Sequence, residues 1–265
     1  MKRKAVAVLI LLVVALPVLA QEQPSEADLK AANNPLATLT AANLQNYYKS
    51  DLIGLPDATA NTAWLRFVKP VGRWLTRSSL AFNYVPTGLG TTASGMGDFN
   101  TFAAYLISKP TAVQMIGVGP LLVAPTTSNE ALGSGKWQIG AAAVYFNLKS
   151  PKLQYGGLVT YQHSFAGSSN RSDTSLMILQ PIAFWQLGNG LYLRGAPIWQ
   201  FDLENETYNV PFGLGVGKII KSGGTVFNLF IEPQFSMFNK GVGNPGFQLF
   251  AGVNLQFGGK GKKKG

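Results

Sequence analysis

The side chains able to do chemistry in this 265-residue chain are few and far apart. His163 is its single histidine and it has no cysteine, which removes disulfides, thiolate metal sites and a histidine-built metal centre. No metal and no other cofactor is expected. A hydrolase would need a nucleophile, a base and an orienting acid in one place. His163 and Ser164 are neighbours, but a strand sends adjacent side chains to opposite faces, so they do not pair directly. Asp173 follows in a loop from which it can reach either. The run GLGVGK at 213–218 resembles a phosphate loop only superficially. That loop needs a glycine where Phe212 stands and a serine or threonine where Ile219 stands. Catalysis is not expected.

Charge points the same way. Lysine and arginine number 22 against 12 acids, a net +10, yet three of these charges are Lys2, Arg3 and Lys4 and four are Lys260, Lys262, Lys263 and Lys264. The body carries only +3, too little for a nucleic-acid face. Charged residues make up 13 % of the chain, against about 25 % in an average soluble domain. Something other than charge must cover much of the surface.

The elements that must position any site follow from periodicity. After the three basic residues come twelve apolar ones, Ala5 to Leu16, then Pro17 and the small-residue site Val18-Leu19-Ala20. This reads as a signal peptide over 1–20, cleaved near Ala20, since the apolar run is shorter than the ~20 residues of a spanning helix. Residues 21–44 form a polar, alanine-rich segment, expected either to lie in the periplasm or to plug the lumen from below. A short helix ending near Asn34-Pro35 is predicted within it.

From residue 45 to 257 apolar residues recur at period two. Phe247, Leu249, Ala251, Val253, Leu255 and Phe257 share one face, and Gln248, Gly252, Asn254 and Gln256 the other. The spacing predicts twelve strands, at 45–54, 62–69, 74–85, 98–108, 113–124, 136–148, 153–165, 174–187, 190–202, 207–220, 225–238 and 245–257. Tight connections alternate with mostly longer ones, the longest at 86–97 and 125–135. The expected fold is therefore all-β: an antiparallel, up-and-down transmembrane barrel with short periplasmic turns and both chain ends on that side. A soluble sandwich is disfavoured because the non-apolar face holds Gly, Asn, Gln, Ser and Ala rather than Lys and Glu. Aromatics at strand ends, namely Trp64, Trp74, Tyr84, Trp137, Tyr155, Trp185, Tyr192 and Phe257, are expected in the interfacial girdles.

Parity turns Arg77, Arg194, Gln200, Glu232 and Gln234 inward, and these are the candidate pore-lining residues. Ile178, Ile182 and Phe184 share that face, so the interior is mixed in character. Five prolines, Pro120, Pro181, Pro197, Pro211 and Pro233, fall inside strands at similar heights although none can donate to a ladder. They are the candidate wall kinks, where weakened pairing offers an apolar solute a sideways exit into the membrane, or where bulges set curvature. The tail at 258–265 is a basic periplasmic extension.

Several stretches carry a resemblance. GVGPLLVAPT (117–126), LGSGKWQIG (132–140), SFAG (164–167), LQPI (179–182), YLRGAPI (192–198), PFGLGVGKIIKSGG (211–224) and DLKAANNPLATL (28–39) are similar to a family of bacterial outer-membrane proteins labelled transporter. Some of its members carry the misnomer neuromedin U, and it is related to the group named for the meta-pathway of phenol degradation. The resemblance implies a barrel in the bacterial outer membrane and transport without a named cargo. The expected function is passive movement of small, hydrophobic or aromatic solutes, with membrane lipid and an unidentified solute as partners. A non-conducting structural or adhesin-like barrel is the alternative.

Overall fold

The computed structural model describes residues 22–88, 90–109 and 111–257, so the expected signal segment and basic tail lie outside it. A seven-residue helix, α1 (Glu26–Ala32), opens on a reciprocal cap: Ser25 Oγ accepts from the Asp28 N–H, and the Asp28 carboxylate accepts from the Ser25 N–H. Strands follow: β1 Thr40–Leu52, β2 Ala60–Val71, β3 Trp74–Gly88, β4 Thr91–Leu106, β5 Gln114–Ala124, β6 Lys136–Asn147 and β7 Leu153–Gly167. The remainder are β8 Ser175–Gly188, β9 Leu191–Gly195, β10 Trp199–Asp202, β11 Thr207–Gly213, β12 Gly215–Ser222, β13 Thr225–Lys240 and β14 Pro245–Phe257.

Each strand pairs antiparallel with its neighbours, and β14 returns to β1 from Thr40↔Phe257 to Leu52↔Pro245. The wall is closed, a twelve-stranded antiparallel barrel. Fourteen segments make twelve strands because two are interrupted. The strand expected over 190–202 is β9 plus β10, broken at Ala196–Ile198, and that expected over 207–220 is β11 plus β12, broken at Leu214. Register runs unchanged across the first break: Leu179 faces Trp199 on one side of it and Ala183 faces Gly195 on the other.

Three further expectations need correction. The connection expected over 86–97 is strand: Val85 pairs with Ala93 and Pro86 with Thr92, so β3 and β4 form one long hairpin. Thr91, Thr92, Ser94 and Gly95 carry no apolar alternation, so nothing in their pattern marks a strand. β1 begins at Thr40, five residues early, for the same reason, since Ala41 and Ala42 do not distinguish two faces. Finally, Trp64 and Tyr192 are not girdle residues. Leu65 and Phe67 are the exposed side chains of β2, and Leu191 is that of β9, so parity turns Trp64 and Tyr192 inward. Trp74, Trp137, Tyr155, Trp185 and Phe257 do face out.

The exterior is therefore apolar, with Leu44, Leu65, Phe82, Ile116, Val159, Leu187, Phe212 and Ile231 all exposed. An exposed apolar surface of this extent is what hydrocarbon requires. The interior divides in two. Leu75, Phe102, Leu121, Val123, Val144 and Leu158 form a greasy lining on β3 to β7, whereas β1, β2, β9, β13 and β14 bring polar and charged groups inward.

Candidate functional site

The lumen is built in tiers. At the short-turn end α1 and the turn after it lie inside the barrel. Asn228 donates to the Ala32 carbonyl and to Asn33 Oδ1, each at 2.9 Å, and Tyr192 Oη donates to Asn228 Oδ1 at 2.6 Å. Gln256 donates to the Ala31 carbonyl, and Lys221 Nζ meets Asp28 Oδ2 at 3.0 Å. Leu36, 1 % exposed, packs into the greasy lining beside Met115 and Leu106. Gly217 makes the Tyr192 position possible, because a Cβ there would overlap the ring.

Partial burial pushes the Asp28 carboxyl up, but hydrogen bonds from Ser25 and Lys221 outweigh it and leave the carboxyl below its ordinary range. A depressed folded value means that the carboxylate's contribution is fully present above the unfolded value and fades as pH falls through the folded one. The seat of α1 should thus hold at neutral pH and loosen below about pH 4. Limited proteolysis of α1 across pH 3 to 7 checks this, and Asp28→Asn should loosen the seat at neutral pH and flatten the acid response.

Above the helix sits a buried ion pair. Arg194 Nε donates to Glu232 Oε2 at 2.6 Å, and the guanidinium stacks 3.7 Å from the Phe230 ring centroid with Phe250 and Phe184 around it. Glu232 Oε1 accepts from the Ala196 N–H at 3.0 Å and from Gln234 Nε2 at 2.7 Å, and Gln248 donates onward to Gln234. A charged pair so deep is tolerable only with further partners: both Glu232 oxygens accept hydrogen bonds, and the rest of the Arg194 guanidinium lies among aromatic rings. Three of the five inward candidates thus come together, Arg194, Glu232 and Gln234 in this network, while Arg77 stands apart on β3. Gln200, on β10, lines the chamber above.

The prolines mark where the ladder thins. Register sets Pro181 directly opposite Pro197, in the stretch where β8 has lost β9 and not yet met β10. Pro211 stands at a register shift between β11 and β13, and Pro233 beside the break at Leu214. Pro120 pairs with Ala141, while on its other side bridging stops between Phe102↔Leu121 and Tyr105↔Val118. Side chains take over some of the freed backbone groups. Glu232 holds the Ala196 N–H, Gln180 donates to the Ala196 carbonyl at 3.0 Å, and Trp199 Nε1 donates to the Pro211 carbonyl at 3.0 Å.

Two chambers occupy the lumen, of about 160 and 350 Å³. The smaller lies against α1, bounded by Asn33, Asn43, Arg194, Asn228 and Gln256. The larger runs toward the long-loop end past Lys49, Trp64, Asp98 and Gln138. Arg66, Arg77 and Gln180 line both and form the waist between them. Arg66 and Lys49 escape a reading by parity that places Trp64 in a girdle. The outward pair Leu65 and Phe67 is the signal that could have found Arg66.

The mouth beyond is narrowed by the 125–135 connection. Ser134 donates twice to Asp98, and Arg171 donates to the Gly133 and Ser134 carbonyls. Nearby, Ser164 Oγ donates to Asp173 Oδ1 at 3.1 Å and accepts from the Thr174 N–H, while His163 Nδ1 lies 3.0 Å from the Ser164 carbonyl oxygen. Asp173 also holds Lys136 at 3.0 Å. These contacts close a loop and set up no serine-to-histidine proton path.

No protein-family model and no curated protein matches the chain. Solved structures do. The COG4313 outer membrane channel from Pseudomonas putida F1 is similar over 85 % of this chain and 98 % of its own, with 14 % identity and a TM-score of 0.60. The NanC porin is similar over 82 % of this chain and 98 % of its own, with 10 % identity and a TM-score of 0.53. At these identities what is shared is the fold, that of an outer-membrane β-barrel.

Proposed function

We propose that this barrel sits in a bacterial outer membrane and lets small solutes pass without an energy source. The carrying observation is the pair of chambers that meet at Arg66, Arg77 and Gln180 inside a closed wall. A structural barrel has no need of internal space lined on one side by polar and on the other by apolar groups. Together the chambers are of the size that small-molecule sites have, about 300–1,000 Å³. In this reading Arg77, Arg194 and Gln200 line the path, while Glu232 and Gln234, sequence candidates for the same lining, are fully buried behind Arg194 and hold it in place. The thinned ladder around Pro120, Pro181, Pro197, Pro211 and Pro233 is the place where an apolar solute leaves sideways into membrane lipid. Similarity in fold to the outer membrane channel from Pseudomonas putida F1 and to the NanC porin supports a conduit, and the sequence motifs resemble those of the transporter group related to phenol degradation.

A scaffold without conduction is the second reading, favoured by α1 at one mouth and the 125–135 connection at the other. Reconstitution separates the two. Liposomes bearing the folded mature protein should take up small solutes faster than empty ones and show single-channel events in a planar bilayer. Folded protein that passes neither ions nor solutes supports the scaffold.

A further inference from the structure

The waist gathers positive charge without matching negative charge. Arg66 on β2 and Arg77 on β3 are diagonal neighbours, since Val68 pairs with Arg77 and Arg66 with Ser79. Like charges so placed repel. Lys49 lines the larger chamber and Arg194 the smaller. Of the nearby carboxylates, Glu232 is taken by Arg194, and Asp98 lies farther up with one oxygen held by Ser134. Among the described residues neither Arg66 nor Arg77 has an ion-pair partner. Arg66 gives one terminal nitrogen to Gln45, Arg77 lies 4.4 Å from the Phe102 ring centroid, and the buried Nε of each arginine has no partner in the protein. Nε with its neighbouring Nη is the edge of the guanidinium that grips a carboxylate through two parallel bonds. Arg194 shows Nε in use on a carboxylate, donating to Glu232 Oε2. Beside Arg77, Phe102 begins an apolar wall of the larger chamber that continues through Leu121, Val123 and Leu158.

We propose that the waist is a binding site for small organic carboxylates with an apolar body, and that it makes the conduit selective for anions. The carboxylate lies between Arg66 and Arg77, whose repulsion it relieves, with Lys49 drawing it down from the wider chamber. The apolar body rests on the greasy lining. This deepens the transport reading by naming its substrate class, but binding at the waist can be measured without transport.

Benzoate is the probe, with benzyl alcohol as its uncharged analogue and inorganic phosphate as an anion without an apolar body. Calorimetric titration of the mature protein in nanodiscs, corrected against empty nanodiscs, should show saturable benzoate binding stronger than that of either comparator. Arg66→Gln and Arg77→Gln should each weaken it by about tenfold or more, as loss of one partner of a buried charged contact does. Arg77→Lys, which keeps the charge but loses the fork, should also weaken benzoate while preserving anion preference in reversal potentials under a KCl gradient. The double glutamine variant should shift that preference toward cations. Far-UV circular dichroism confirms that each variant is folded. Benzyl alcohol binding as tightly as benzoate, benzoate affinity unchanged in the folded glutamine variants, or a cation-selective wild type would overturn the proposal. Benzoate bound at the waist of a protein that conducts nothing would leave the site standing and remove the transport reading.

Discussion

Glu232→Ala should lower the unfolding free energy by about 3–5 kcal/mol, the cost of stranding a buried charge. Glu232 is 0 % exposed and Arg194 5 %, so the guanidinium left behind stays packed against Phe230 and Phe250 with no carboxylate to balance it. Two more groups lose their acceptor, the Ala196 N–H and Gln234 Nε2. The Ala196 N–H matters most, because the interrupted ladder beside it offers no substitute. Glu232→Gln keeps an oxygen for these donors and should cost less. The double variant Arg194→Met with Glu232→Leu removes both charges at similar volume and should recover much of the loss, although Ala196 stays unsatisfied. Urea unfolding in lipid vesicles, read by circular dichroism or by the gel shift between folded and unfolded forms, gives these differences. An alanine variant as stable as the parent would mean that the pair is wetted rather than sealed.

Gly217→Val is the second large effect. Its side chain would occupy the space of the Tyr192 ring, and overpacking of this kind costs about 1–3 kcal/mol. The consequence is specific. Tyr192 is hydrogen-bonded to Asn228, and Asn228 to the Ala32 carbonyl and Asn33, so displacing the ring unseats α1. The variant should show a lower unfolding midpoint, faster protease cleavage in α1 and larger single-channel conductance. Gly217→Val combined with Tyr192→Leu, which makes room, should regain stability but not the seat.

Much of this architecture can be read from alternation alone. A strand with lipid on one side and a lumen on the other writes its parity into the chain, as Phe247 to Phe257 do, and parity places Arg77, Arg194, Glu232 and Gln234 on the inner face. Where both faces are small or polar, parity falls silent, and Thr91 to Gly95 and Ala41 to Asn43 are strands that no pattern announces. Aromatic residues mislead in another way. Trp64 and Tyr192 have the composition of girdle residues but stand among outward leucines, and the neighbours decide. Partnership between strands lies beyond periodicity altogether. Period two says that Arg194 and Glu232 face inward, but that they meet depends on register, which sets both beside Gly215 of the intervening β12, where no side chain stands between them. The prolines are legible as missing donors, but that Pro181 meets Pro197 depends on register.

The seam between β1 and β14 joins residues more than two hundred positions apart, from Thr40 with Phe257 to Leu52 with Pro245. Contacts so distant along the chain form late, because the ordering they demand comes before any reward. α1 is tethered directly ahead of β1, and its anchors Asn228 and Gln256 belong to the last two strands of the circle. The helix therefore ties the start of the circle to its end, and its anchorage is complete only once the last two strands are in place.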